Sequence, residues 1–139
     1  MSIRKAKSQW NGTLKDGSGT MNFSNFSGPF TFKSRFEEGS GTNPEELVGA
    51  AHSGCYSMFL SALISGEGLT PESVETTATV HLGNDDKGPV ITTIELDSHV
   101  KCEGLSQEKF EELAAAAKEG CPISRLVAPT EVKLTAELH

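Results

Sequence analysis

The period of the hydrophobic positions changes along this chain, and each change marks an element. Residues 73–83 alternate, with Val74, Thr76, Ala78, Val80 and Leu82 on one side and Glu75, Thr77, Thr79 and His81 on the other. That two-residue period predicts a half-buried strand. Residues 89–102 alternate again, setting Val90, Ile94, Leu96, Val100 and Cys102 against Thr93, Glu95, Asp97, His99 and Lys101. The turn-forming run Asn84-Asp85-Asp86-Lys87-Gly88 joins the two into a long hairpin. From Glu131 to Leu138 the alternation returns, with Val132, Leu134, Ala136 and Leu138 inward. Between these strands the spacing turns helical. Ser106 caps a helix carrying Phe110, Leu113, Ala114 and Ala117, Gly120 stops it, and Pro122 to Val127 reads as a short second helix.

The N-terminal part has a different texture. Residues 8–36 are rich in Gly, Ser, Thr and Phe and are punctuated by Gly17-Ser18-Gly19 and Gly28-Pro29, which predicts two or three short strands with tight turns. Residues 37–42 read as a loop. Asn43-Pro44-Glu45-Glu46 is a helix start: a side-chain cap, a proline at the first helical position, and two carboxylates at the positive end of the dipole. From Leu47 to Ile64 the chain is apolar nearly all round, and Gly66-Glu67-Gly68 ends it. A helix without a polar face is a buried helix. One small sheet cannot cover all its sides, so a second subunit is expected on the rest. The order of elements predicts an α+β fold, with antiparallel-leaning sheets packed on that central helix.

Composition narrows the function. The 139 residues suit a single domain, 1–139, which buries roughly 70% of the surface its unfolded chain exposes. A net charge of −7 argues against nucleic acid or an anionic membrane surface as partner. No secretory leader pattern and no run approaching a membrane span is read. Three cysteines at 55, 102 and 121 make no disulfide framework, and a reducing cytoplasm is the expected home.

The cysteines carry the candidate chemistry. Cys55 follows the small-residue run Gly49-Ala50-Ala51-His52-Ser53-Gly54 inside the apolar helix, and is expected to be buried and closely approached. Cys121, between Gly120 and Pro122, stands at a helix start, a setting that lowers thiol pKa. Each is also readable as a packing or capping residue, and Cys102 reads as core filler. Arg35, between Phe32 and Phe36, is the candidate cation for a thiolate, and Glu45 could orient it through a planar, bidentate pair. Glu45 and Cys55 are ten residues apart, about 15 Å along one straight helix. Either the arginine spans much of that gap or the helix breaks near Gly49–Gly54; the break is the expectation, and it would place Cys55 near a second helix N-terminus. The histidines offer no set with metal-ligand spacing, so no metal and no cofactor are expected. His52 stays open as a base for an acyl-transfer thiol enzyme, and a small-molecule carrier with incidental cysteines is a further alternative.

The run Asn43-Pro44-Glu45-Glu46-Leu47-Val48-Gly49-Ala50-Ala51-His52-Ser53-Gly54-Cys55, with Gly120-Cys121-Pro122-Ile123-Ser124 later, closely resembles the OsmC/Ohr family of thiol peroxidases. Phe32-Lys33-Ser34-Arg35-Phe36 and Gly41-Thr42 look more like the OsmC branch. The resemblance implies an intertwined homodimer with two active sites at the interface, in oxidative and osmotic stress defence. It implies that Cys55 is the peroxidatic thiol, Cys121 the resolving thiol, Glu45 the catalytic carboxylate and Arg35 its arginine. It implies organic hydroperoxides as substrates and a dithiol as reductant, lipoylated proteins being the kind that serve the Ohr branch.

Overall fold

Two three-stranded sheets organise the chain. The computed structural model describes residues 1–139, which divide into two units, Met1–Leu47 and Val48–His139. In the first unit, β1 (Lys7–Asn11), β2 (Ser18–Phe23) and β3 (Phe26–Thr31) pair antiparallel in that order. Ser24 takes a φ of 47° in the tight turn between β2 and β3, and the flanking Phe23 and Phe26 rings stack at 4.7 Å. The strand expected to run on to residue 36 stops early. Phe32–Phe36 is a short helix, α1. Thr31 and Ser34 form a reciprocal cap: the Ser34 amide donates to Thr31 Oγ1 at 3.2 Å, and the Thr31 amide donates to Ser34 Oγ at 2.9 Å.

The second unit holds the other sheet, in the order β4 (Ser73–Asp85), β5 (Gly88–Lys101), β6 (Glu131–Leu138). The β4–β5 hairpin is antiparallel and shifts register between His81 and Leu82, while β5 and β6 run parallel. A parallel pair needs a crossover, and α3 (Gln107–Gly120) with α4 (Pro122–Leu126) supplies it. The inward face of β5 presents Ile94, Leu96 and Val100, which form one core with Phe110, Leu113, Ala114 and Ala117 of α3. Ser98, also fully buried, is satisfied through Thr76 Oγ1 at 2.9 Å, which in turn accepts from Ser57 at 2.8 Å.

The long helix α2 spans Pro44–Gly66 without interruption. Asn43 starts it, accepting the Glu46 amide at 2.8 Å. The expected break near Gly54 does not occur. One interior glycine costs a helix only about 1 kcal/mol, and the anchoring residues on either side, His52 and Tyr56, are fully buried. Gly49 is closely packed: a Cβ there would lie 3.3 Å from Val80 Cγ2, so the valine would have to give by a few tenths of an ångström. The helix is also less covered than a buried helix should be. Only the stripe Gly49, His52, Tyr56, Leu60 and Ile64 is buried, and Met58 is 77% exposed. Contrary to the sequence expectation, α2 is long and apolar enough to cross a membrane, with a mean hydropathy of 1.4 over its best window. Its buried stripe belongs to the core of the second unit.

Candidate active site

Residue Cys121 ends α3 and begins α4 at once. Its amide donates to Ala117 O at 3.1 Å, and its sulfur accepts the Ser124 amide at 3.3 Å. Pro122 follows because the first helical position needs no amide hydrogen bond. Gly120 precedes it because the Phe59 ring lies where a Cβ would go, at 3.0 Å. The thiol is fully buried.

Cys55 sits at the middle of α2 and is half-buried rather than enclosed. Its neighbour Gly54 faces open space, with nothing within 4 Å of a Cβ built there. The two thiols are close enough to shift each other's ionisation, and the Ile123 backbone N–H favours the thiolate form of each. The sequence separates them by 66 positions, and the fold packs Cys55 against the core that contains Cys121.

Their electrostatics differ in sign. Burial pushes the Cys55 thiol up; the Ile123 N–H opposes this, and the Cys121 sulfur adds to it. Burial also disfavours a Cys121 thiolate, but the hydrogen bonds from the Ser124 hydroxyl and amide, helped by the neighbouring Cys55 thiol and the Ile123 N–H, overturn that effect. The Cys121 thiol therefore lies below its ordinary value.

A buried chain of polar groups extends behind Cys121. Ser124 Oγ lies 3.2 Å from its sulfur, and His52 Nε2 lies 2.8 Å from the same Oγ. Counting protons gives the direction. When Cys121 is ionised its sulfur only accepts, so the single Ser124 hydroxyl proton then goes to it. Ser124 Oγ must then accept from His52 Nε2–H, leaving His52 Nδ1 a bare acceptor. Nδ1 is the buried side-chain atom without a partner. Burial holds the imidazole below its usual range, which keeps it neutral for this role.

Arg35 and Glu45 meet within the first unit. The guanidinium donates from Nε to both carboxylate oxygens at 3.2 Å and from Nη2 to Oε1 at 2.7 Å, and its carbon lies 5.1 Å above the Phe36 ring. Glu46 is engaged elsewhere, accepting from Thr42 Oγ1 at 2.8 Å. Beside Arg35 an aromatic hollow of about 450 Å³ is lined by Trp10, Phe30, Phe32 and Phe36.

Residues 37–137 match the family described as OsmC-like protein. The chain belongs to the OsmC-like family. Within it, peroxiredoxin OsmC of Escherichia coli strain K12 is 43% identical over 140 residues, covering 97% of this chain and 96% of its own. An OsmC-like protein from Mycoplasma pneumoniae superposes with a TM-score of 0.79 at 13% identity over 99% of each chain. The organic hydroperoxide resistance protein OhrB of Bacillus subtilis gives 0.68 at 25% identity, covering 97% of this chain and 98% of that one. The α+β architecture is therefore that of the OsmC/Ohr proteins.

Against this OsmC-like frame, sequence reading named the two thiols and the Arg35–Glu45 pair but missed what acts on Cys121. Ser124 three residues after Cys121, and His52 three residues before Cys55, were the available signals. The first is the spacing of a helix cap, the second that of one helical turn. Cys102 lies in the core, its sulfur 3.8 Å from the Glu103 carbonyl.

Proposed function

We propose that this OsmC-like protein is a thiol-dependent peroxidase that reduces organic hydroperoxides to alcohols. The observation that carries the reading is that Cys55 packs against the core cluster containing Cys121, close enough for each thiol to perturb the other's ionisation. Two neighbouring thiols can exchange one peroxide's oxidising equivalents for one disulfide.

Cys55 is the better placed to meet substrate, being half-buried beside the open space at Gly54. Its thiolate attacks the terminal peroxide oxygen, the O–O bond breaks, and the alkoxide takes a proton to leave as alcohol. Cys55 becomes a sulfenic acid. The Cys121 thiolate attacks that sulfur, the S–O bond breaks, hydroxide leaves as water after protonation, and a Cys55–Cys121 disulfide forms. A dithiol then reduces the bridge to two thiols and is itself oxidised to a disulfide; a lipoylated protein fits that part.

The local groups raise the Cys55 pKa, so its activation needs a cation from elsewhere. The Arg35–Glu45 pair is that cation in this reading. Because α2 is unbroken, Glu45 and Cys55 are about 15 Å apart along its axis. The pair is accordingly supplied by a second copy of the chain. The incompletely covered apolar face of α2, with Met58 77% exposed, supports the homodimer that such sharing requires. The aromatic hollow beside Arg35 suits the organic tail of the substrate. A reducing, cytoplasmic setting suits a cycle that restarts from two free thiols.

Intact mass before and after one equivalent of cumene hydroperoxide tests the reading. The expected result is a loss of about two daltons, mapped to a bridge between the Cys55 and Cys121 peptides. Unchanged mass with both thiols still free would instead leave a carrier with incidental cysteines.

A further inference from the structure

Away from the thiols, two histidines meet at the end of the β5–β6 pair. The parallel register sets His99 opposite Glu137, and His139, two residues on, follows on the same side. His99 Nδ1 and His139 Nε2 stand 2.6 Å apart, the rings stacked with centroids at 4.9 Å. Glu137 Oε2 lies 3.4 Å from the first nitrogen and 3.5 Å from the second. Asp97 Oδ1 lies 3.2 Å from the other nitrogen of His99, Nε2.

With Asp97 accepting from Nε2–H, His99 Nδ1 presents a lone pair to both a carboxylate oxygen and a second ring nitrogen. A proton on His139 Nε2 bridges the two rings and leaves Glu137 Oε2 to solvent, whereas a cation between the three atoms engages all of them. We propose that His99 Nδ1, His139 Nε2 and Glu137 Oε2 form a binding site for a divalent cation of the zinc class, with Asp97 holding the His99 ring in its metal-binding tautomer.

The geometry fits such an ion. Ligand atoms around a tetrahedral zinc at about 2.0–2.2 Å stand roughly 3.3 Å from one another. Both carboxylate–nitrogen separations already have that value. The two nitrogens must part by less than about 1 Å, and the side chains, 39% and 47% exposed, are free to do so. Two imidazoles and one carboxylate suit zinc or its first-row neighbours and not magnesium or calcium, which take oxygen ligands. A carboxylate behind a ligating histidine is the usual outer partner of such a site. Water completes the coordination. The site exists only where β5 and β6 are paired, so the bound ion clamps those strand ends. None of this depends on the role of the thiols.

Thiols also bind zinc, so the test removes them. The full chain carrying Cys55→Ser, Cys102→Ser and Cys121→Ser is titrated calorimetrically with Zn²⁺ alone. One equivalent is expected, with affinity reduced at least tenfold by His99→Ala or Glu137→Gln and about tenfold by Asp97→Asn. His81→Ala, on the same sheet outside the cluster, leaves it unchanged. Absence of one-equivalent binding, or binding that His99→Ala does not weaken, overturns the site. Should the serine chain not fold, Co²⁺ added to the unaltered protein decides. A d–d spectrum that His99→Ala abolishes, without thiolate charge transfer, supports the cluster; a thiolate charge-transfer band alone overturns it.

Discussion

The middle of α2 and the junction of α3 with α4 each present one sulfur, and they treat it in opposite ways. At Cys55 burial outweighs the one backbone donor that favours the thiolate, the Ile123 N–H, and the thiol pKa is pushed up. At Cys121 a helix has just ended and another has just begun, so unpaired N–H groups and a serine hydroxyl converge on the sulfur. The contrast teaches where each thiolate comes from. The chain supplies everything that favours ionised Cys121, whereas ionised Cys55 needs a positive charge brought to it. In the proposed cycle, a lowered pKa also makes Cys121 the better leaving group when a dithiol opens the bridge at Cys55.

Exchanging the sulfurs breaks the contrast most severely. Cys55→Ser should reduce hydroperoxide turnover to the buffer background in a coupled assay. Cys121→Ser should instead consume one equivalent of peroxide per site and stall, with sulfenic and then sulfinic acid at Cys55 seen by mass. Equal steady-state loss without the single turnover would erase the distinction between them.

Removing the cation comes next. Arg35→Ala should lower kcat/KM about 10²-fold, the scale for losing one charge-stabilising donor. Arg35→Lys should recover only part, since an ammonium cannot hold Glu45 through two parallel bonds. Mixing Arg35→Ala with Cys55→Ser chains should restore activity in a fraction of the mixed dimers, if the pair acts across copies. No restoration, with mixed dimers verified by native mass spectrometry, would place the cation within one chain.

The smallest effect sharpens the Cys121 side. Its pKa is lowered, so thiolate appears at a lower pH than for a free cysteine and is lost as pH falls through the shifted value. Removing the Ser124 hydroxyl removes about 1.5–3 kcal/mol of charge-assisted hydrogen bonding. At about 1.4 kcal/mol per unit, Ser124→Ala should move the Cys121 titration upward by about one to two pH units. Thiolate ultraviolet absorbance in a Cys55→Ser, Cys102→Ser background reads this directly. Ser124→Thr, which keeps a hydroxyl, should hold the titration near its original position.

What could be read from the sequence was what local chemistry decides. The Asn43 cap, the long hairpin and the α3 stop at Gly120 all rest on neighbours within a few residues, and all form as expected. Phe32–Phe36 misled because apolar residues at both ends resemble a strand, and the Thr31–Ser34 cap that makes it a helix is a weak signal. The supposed break in α2 failed because glycine permits a kink without causing one. The parallel β5–β6 pairing, the Ser124–His52 contact and the His99–His139 cluster join segments 38 to 72 residues apart. Periodicity carries no information at that range.

The double duty of Cys121 has a last consequence. As a thiolate its sulfur holds the first turn of α4 through the Ser124 amide. Bonded to Cys55 it is neutral and a poorer acceptor, so that turn loses a cap of the kind that contributes about 1 kcal/mol. In the proposed cycle each turnover thus slackens and retightens a backbone corner, and the oxidation state is written into main-chain order.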